Sequence, residues 1–316
     1  MNPLAGPQQS SYPAGFQNGL LVQGMPVLNQ YNGKVFWVDS NNGADGNPGT
    51  YNRPFATIDR AFSLVSSGRG DIVMVKPGHV ETISNATTLL ADVLGVAVIG
   101  LGIGTSRPTL TFDTATTASI PVSAANIIFQ NFILKANYAA IVAPFTVSAK
   151  DFSLIDVEFR DNSSVLNFKY MVDTSAISNA VDGLGIYGCR FLGQGTTSNT
   201  GCINMQGTND RLFFKQNRVR IKATTAACLM QIATGKSITS AEIERNDLQS
   251  AYNGAAGIII TTDQTSNDGL IAYNNIKSLS TTTEILVTAS SGFRFQQNYH
   301  TAVADKSGYL LPAADA

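Results

Sequence analysis

Short apolar stretches recur along the chain in one eight-residue pattern. Apolar residues take the first, third, sixth and eighth positions, and two unconstrained residues separate the third position from the sixth. Positions one and three alternate as a β-strand does, positions six and eight alternate again, and the two residues between them predict a tight corner. Eight copies of this pattern begin at Val96, Ile127, Phe152, Leu184, Leu212, Ala241, Leu270 and Phe293.

The spacing of the copies indicates a repeat architecture. Successive starts are 31, 25, 32, 28, 29, 29 and 23 residues apart. A period of about 20–50 residues built from short strands and corners is typical of a solenoid, here a single-stranded parallel β-helix. Apolar segments between the copies predict a third strand in each coil, at 171–172, 202–205, 228–230, 257–260 and 284–287. We therefore expect about eight or more coils over residues 34–305, a rod of roughly 40 Å at ~4.8 Å per coil.

In the last four copies an asparagine occupies the sixth position, directly after the corner. These residues are Asn217, Asn246, Asn275 and Asn298. Asparagine tolerates a left-handed backbone and bonds to nearby backbone groups. Amides stacked on successive coils can also bond to one another. A polar channel or a ligand site is the functional alternative, but the shared register favours a structural ladder of side-chain amides.

The segment before the first copy has a different pattern. Lys34–Asp39 predicts a strand, and a loop rich in turn-forming residues follows it. Apolar residues three or four apart then predict a helix at about 57–66, with Thr57 as its N-cap. A further strand is expected from Asp71 to Gly78.

This segment resembles the beginning of a known fold. The run from Val35 to Glu81, with Pro-Phe-Ala-Thr-Ile at 54–58, resembles the opening module of pectate-lyase-like right-handed β-helix proteins, which are common in bacteriophage particles. The resemblance implies a right-handed solenoid whose helix covers the open end and hides its edge from further strand pairing. It also implies a virion protein, although the module indicates a fold more than a function.

Two terminal segments lie outside the repeats. Residues 1–33 have no sustained periodicity, and residues 306–316 form a short tail. The first segment nevertheless carries several large apolar side chains: Phe16, Leu20, Leu21, Val22, Met25, Val27 and Leu28. Because such a segment has little of its own to bury them against, we expect residues 1–33 to be an extended anchoring arm that lies on a partner.

Composition narrows the range of functions. The chain of 316 residues is 44% hydrophobic and 14% charged, with a net charge of −1, so no overall field attracts nucleic acid or an anionic membrane. No apolar run reaches the ~18 residues of a membrane span, and the first residues lack an export signal. The three cysteines are expected to be buried free thiols, and with only two histidines they show no zinc-site spacing.

The loop from Asp39 to Asn47 invites a calcium interpretation. Acidic and amide side chains alternate there, but an EF-hand loop needs glycine at its sixth place and glutamate at its twelfth. Those places hold Ala44 and Thr50. Turn-forming residues explain the loop more simply, so we expect no metal site.

A basic cluster at 211–222 could suggest a phosphate site. The coil register predicts instead that its cations meet acids on neighbouring coils, as Lys215 does with Glu244. The outward row beside it is expected to run in the order Glu158, Arg190, Arg218, Asp247. We therefore expect ion pairs between coils, not a ligand site.

Catalytic residues are the remaining question, because β-helices often bind or cleave polysaccharides. Glycoside hydrolysis needs two carboxyl groups about 5–9.5 Å apart, and a lyase needs a basic residue near several metal-binding aspartates. Across coils, Asp156 aligns with Gly188, and Glu242 aligns with Phe213 and Ile271, so few acids stack. We assign no catalytic, cofactor-binding or metal-binding residue and expect no polysaccharide cleavage.

These features together predict a non-catalytic structural protein on the surface of a tailed-phage virion. We expect a homotrimeric β-helix that decorates the capsid or forms a head fibre, attached through its N-terminal arm to the major capsid protein or another virion protein. The phage origin is implied by the resemblance alone. The alternative is a tailspike-like polysaccharide depolymerase, a glycoside hydrolase or lyase with a host-surface glycan as its partner. A cell-surface adhesin is a third class.

Overall fold

The chain divides into two compact units in its computed structural model, Met1–Gly33 and Lys34–Ala316. The residues described are 20–22, 25–27, 33–195, 201–222, 229–250, 260–277, 287, 292–301 and 307–310. In the first unit, Leu20–Val22 and Met25–Val27 form an antiparallel strand pair. The second unit contains the repeats.

The second unit is a parallel β-solenoid whose coils contribute strands to three sheets, as predicted. Sheet I contains Val35–Val38, Ile72–Val75, Ala97–Gly100, Ile128–Gln130, Ser153–Ile155, Gly185–Tyr187, Phe213–Lys215, Ala241–Glu244, Asp268–Ala272 and Gly292–Gln296. Sheet II contains Val80–Ile83, Thr109–Phe112, Ile133–Ala136, Glu158–Asp161, Arg190–Leu192, Arg218–Ile221, Asp247–Ser250, Asn275–Lys277, Asn298–Thr301 and the antiparallel Ser307–Leu310. Sheet III contains Ile120–Val122, Phe145–Val147, Val172–Thr174, Ile203–Met205, Met230–Ile232 and Ile260–Thr261. A further short pair joins Asn209–Asp210 to Ile238–Thr239.

Alternate residues of each strand point into the solenoid and form one continuous core. In sheet I the inward residues include Val73, Val98, Phe129 and Leu154, all fully buried. Aromatic rings from different sheets meet inside, as where the ring centroids of Phe129 and Phe145 lie 5.2 Å apart. Each fully buried side chain of this size contributes about 1.5–3 kcal/mol to folding.

The α-helix Ile58–Phe62 is shorter than the helix predicted for 57–66. It begins as expected at Thr57, whose hydroxyl accepts a hydrogen bond from the N–H of Arg60 at 3.2 Å. It ends early because the N–H of Ser66 donates to the carboxylate of Asp71 at 2.7 Å instead of to a helical carbonyl. A short 3₁₀ helix, Gly104–Ser106, is the second helical segment among the described residues.

The corner between sheets I and II depends on one left-handed residue in each coil. This residue is the fifth of the pattern, and its φ lies between 47° and 62° in seven coils. The seven residues are Asn131, Asp156, Gly188, Gln216, Arg245, Tyr273 and Gln297. The predicted corner is therefore present, but the left-handed residue precedes the asparagine at position six and is not the asparagine itself.

The asparagines after the corner form a buried ladder. The amide of Asn246 reaches back one coil, accepts a hydrogen bond from the backbone N–H of Asn217 (2.8 Å) and donates one to the carbonyl of Phe214 (2.9 Å). It thereby joins the third and sixth positions of the preceding corner. The same two bonds recur at each rung, and the amides also bond to each other at 2.8–3.2 Å. The rungs are Asn217, Asn246, Asn274 and Asn298.

The third rung corrects the sequence prediction by one residue. Asn274, not Asn275, is the rung, because the strand that precedes it pairs Gly269 with Ala241 and Ile271 with Ile243. A Cβ at Gly269 would lie 2.1 Å from the carbonyl oxygen of Ala241, so the first position of this copy must be glycine. The apolar pattern passed over this glycine and matched the next residue instead.

The first copy of the pattern is also wrong in its second half. Val96 and Val98 are buried as predicted, but Ile103 is 87% exposed. The chain forms a loop there, and the strand after the corner begins only at Thr109, where Leu110 enters the core. An insertion thus separates the two halves of this coil.

The neighbouring residues Asn274 and Asn275 provide a matched pair for testing the ladder. Asn274→Leu would leave the N–H of Asn246 unsatisfied in the core and remove one hydrogen bond from the carbonyl of Ile243, and we expect it to lower the free energy of unfolding by about 2–5 kcal/mol. Asn275→Leu changes an exposed side chain and should cost less than ~1 kcal/mol. Urea unfolding followed by circular dichroism measures both values, and equal losses would contradict the ladder.

Candidate active site

The outer surface of sheet I changes character along the solenoid. Two outward residues per strand form two rows that run from coil to coil. The first row is Val35, Ile72, Ala97, Ile128, Ser153, Gly185, Phe213, Glu242, Leu270 and Arg294. The second is Trp37, Met74, Ile99, Gln130, Ile155, Tyr187, Lys215, Glu244, Ala272 and Gln296. Both rows are mainly apolar at first and become aromatic and then charged.

An open cleft of about 590 Å³ occupies the charged part of this surface. Its polar lining includes the acids Glu242, Glu244 and Asp268 and the cation Arg294. Asp268 is oriented by the backbone, because its carboxylate accepts a hydrogen bond from the N–H of Ser240 at 2.5 Å. The volume falls within the ~300–1,000 Å³ of typical ligand sites.

One ammonium group holds two of these acids together. Lys215 donates a hydrogen bond to the carboxylate of Glu242, and its Nζ lies 3.5 Å from the carboxylate of Glu244. Glu242 and Glu244 belong to one strand and point to the same side because they are two residues apart. Burial works against the charge of Lys215, but the two carboxylates outweigh it and raise the pKa of this lysine above its ordinary value.

Two aromatic side chains lie on the two coils that precede the acids. Phe213 neighbours Glu242 in the first row, and the Nζ of Lys215 lies 5.6 Å from the centre of its ring. Tyr187 neighbours Lys215 in the second row. Its ring crosses to the first row and covers Gly185, where an added Cβ would lie 2.5 Å from the Tyr187 Cε2. Burial raises the pKa of Tyr187, while the charge of Lys215 lowers it and that of Glu242 raises it further.

The ion pairs predicted between coils are largely present. Lys215 meets Glu244, and Arg218 lies 3.2 Å from Asp247. Glu158 is in register with Arg190, yet its carboxylate bonds to Arg160 at 2.6 Å and to Arg107 at 2.5 Å. Burial would raise the pKa of Glu158, but these two arginines outweigh it and lower that pKa.

Sequence reasoning missed the pair of acids along the strand. The sequence prediction compared carboxylates on neighbouring coils only. It placed Glu242 beside Phe213 on one side, which is correct. On the other side it placed Glu242 beside Ile271, whereas the structure pairs Glu242 with Leu270. The available signal was the sequence Glu-Ile-Glu within a predicted strand, since residues two apart share a face. The predicted absence of catalytic residues did not consider this arrangement.

In the loop considered for calcium binding, the acidic side chain takes part in structural hydrogen bonds. The carboxylate of Asp39 accepts hydrogen bonds from the N–H of Asn41 (3.0 Å) and the side chain of Asn42 (3.2 Å), as a turn-forming residue does. The described part of the chain contains no group of three or more potential metal ligands. No helix among the described residues is long and apolar enough to cross a membrane.

Two of the three cysteines, Cys189 and Cys202, are buried thiols as expected. Burial raises the pKa of Cys189 to about 12. Cys189 is therefore an inert thiol at neutral pH. Cys228, the third cysteine, lies outside the described residues.

No protein-family model and no curated protein matches the chain. Among solved structures, it is similar to a rhamnogalacturonan lyase at 13% sequence identity and a TM-score of 0.47, covering 88% of this chain and 90% of that one. It is also similar to a GH136 lacto-N-biosidase from Eubacterium ramulus at 10% identity and a TM-score of 0.41, covering 86% of this chain and 67% of that one. These similarities concern the fold alone.

The comparison contradicts the expectation that the chain is not an enzyme. Both neighbours are enzymes by name, one a lyase and one a glycoside hydrolase. The non-catalytic prediction is therefore wrong. At such low identity the likeness assigns no substrate and no catalytic residue to this chain, so any activity must be argued from its own cleft.

Proposed function

We propose that this chain hydrolyses a polysaccharide in the cleft of sheet I, with Glu242 and Glu244 as the pair of catalytic carboxyl groups. The observation that carries the proposal is the placement of both side chains on one strand, facing one cleft and one ammonium group. Two residues along a strand span about 6.6 Å between their Cα atoms, and the two carboxylates come close enough to contact the same Nζ of Lys215. Glycosidases hold their two carboxyl groups about 5–9.5 Å apart.

The chemistry follows from this spacing. One carboxyl group donates a proton to the oxygen of the leaving sugar, and the other, as a carboxylate, either attacks the sugar carbon or removes a proton from the attacking water. Water supplies the hydroxyl group of the new reducing end and the proton that restores the acid. The reaction balances with the polysaccharide and water alone and requires no further reactant.

A lyase mechanism is less compatible with the same cleft. Lyases remove a proton from carbon and need a base that is unprotonated at the working pH. Lys215 is the candidate base, but its raised pKa keeps it protonated at neutral pH. Its role in the proposal is to orient Glu242 and Glu244 and to hold both near the scissile bond.

The test is the release of reducing ends from a panel of neutral and acidic polysaccharides by the purified chain. Glu242→Gln and Glu244→Gln should each lower the rate by at least about 100-fold, since positioned acids and bases contribute 10²–10⁴-fold. Asp247→Asn is the control, because Asp247 forms an exposed ion pair on sheet II. Ultraviolet absorption by unsaturated sugars would indicate a lyase instead.

Two outcomes contradict the proposal. One is the absence of reducing ends from every polysaccharide in the panel. The other is cleavage that neither glutamine variant slows relative to Asp247→Asn.

The proposal extends to the setting of the enzyme. The resemblance of residues 35–81 to phage β-helix modules and the apolar composition of residues 1–33 support a tailspike-like depolymerase of a bacteriophage particle. In this proposal the chain is a homotrimer on the particle surface, the arm binds the major capsid protein or another virion protein, and the substrate is a host-surface glycan.

Removal of residues 1–33 tests the proposed arm. Because the two units are separately compact, the shortened chain should keep its β content, its melting temperature and its hydrolytic rate. It should lose attachment to particles and the trimeric mass measured by analytical ultracentrifugation. A shortened chain that still assembles and attaches like the full chain would contradict the role of the arm.

A further inference from the structure

Tyr187 lies in an unusual position for a side chain on the outside of a sheet. Outward residues of a strand stand roughly perpendicular to it, but the ring of Tyr187 extends sideways across its own strand and over Gly185. An added Cβ at Gly185 would lie 2.5 Å from the Tyr187 Cε2 and 2.9 Å from its hydroxyl oxygen. Glycine is therefore what allows the tyrosine to lie against the sheet.

The ring continues a row that leads to the proposed catalytic acids. Gly185 is in register with Phe213, and Phe213 is in register with Glu242. At ~4.8 Å per coil, the Tyr187 ring covers a position one coil from Phe213 and about 9.6 Å from the acidic coil. Tyr187 and Phe213 are both only partly exposed, so each is held by its neighbours and still presents surface to solvent.

An aromatic surface of this kind suits a pyranose ring. The ring C–H bonds of a sugar form an apolar face while its hydroxyl groups point outward, so it stacks on an aromatic side chain without burying its hydroxyls. Lys215 shares a strand with Phe213 and lies between Tyr187 and Glu244 in the second row, so it offers N–H donors to sugar hydroxyls from the same side.

We infer that Tyr187 and Phe213 form a stacking platform for pyranose units of a polysaccharide whose chain runs along the solenoid axis towards Glu242 and Glu244. The inference rests on the proposed function for the position of the cleaved bond, but the binding itself does not require cleavage. Tyr187 is a binding residue in this account, and Gly185 is a positioning residue that acts through it.

The test compares four variants in binding and in turnover. Tyr187→Ala should weaken polysaccharide binding and raise KM about tenfold with little change in kcat, whereas Tyr187→Phe should retain the wild-type values because the ring remains. Gly185→Ala keeps the tyrosine but displaces its ring, and it should weaken binding nearly as much as Tyr187→Ala. Tyr51→Ala is the control, since Tyr51 is exposed near the first strand of sheet I, about 24 Å away along the axis.

Binding is measured by affinity electrophoresis in the same polysaccharides used for the reducing-end assay, and circular dichroism verifies that each variant is folded. If the wild-type chain cleaves the polysaccharide and Tyr187→Ala has the same binding and the same KM as the wild type, the platform is overturned and the proposed hydrolysis stands. Absence of cleavage together with weakened binding in Tyr187→Ala and Gly185→Ala would overturn the hydrolysis and support the platform. Equal losses in Tyr187→Ala and Tyr51→Ala would also overturn the platform.

Discussion

The corner between sheets I and II is the constraint on which the later coils depend. A left-handed fifth residue turns the chain sharply, and in the later coils the carbonyl at position three and the N–H at position six both bond to an asparagine side chain of the next coil. Buried groups of this kind cost about 1–3 kcal/mol each when unsatisfied. The amide of an asparagine has both an acceptor and donors, so one side chain from the next coil satisfies both groups. Each coil thereby fixes the corner of the coil before it.

The same corner also positions the side chains proposed for catalysis. Lys215 and Glu244 both stand at position four, two residues before a rung of the ladder, so the bonds between Asn217 and Asn246 hold them side by side. Glu242 then faces the same ammonium group from position two. Because the core needs apolar residues only at the inward positions, positions two and four can carry aromatic and charged side chains without loss of packing. The solenoid thus provides a rigid surface on which a row of functional residues is aligned.

Whether a feature could be predicted from the sequence depends on whether its residues point into the core or outward. Inward positions are constrained by the core, so the apolar pattern located most corners and the ion pair of Lys215 with Glu244. It failed at Gly269, where close approach of two strands requires glycine, and at Ile103, where an insertion separates the strands. The candidate site lies at positions that the pattern leaves unconstrained. Its acids could have been found from their two-residue spacing, but the flat position of Tyr187 depends on the missing side chain of Gly185 and requires the structure.

Hydrogen exchange at the ladder tests the central claim most directly. The backbone N–H groups of Cys189, Asn217, Asn246 and Asn274 each donate to an asparagine of the next coil. If these bonds hold the coils in register, the four amides should exchange only through global unfolding, with protection equal to the full free energy of unfolding. Exchange of these amides through local opening, at rates independent of denaturant, would show that the corners open separately and would contradict the account.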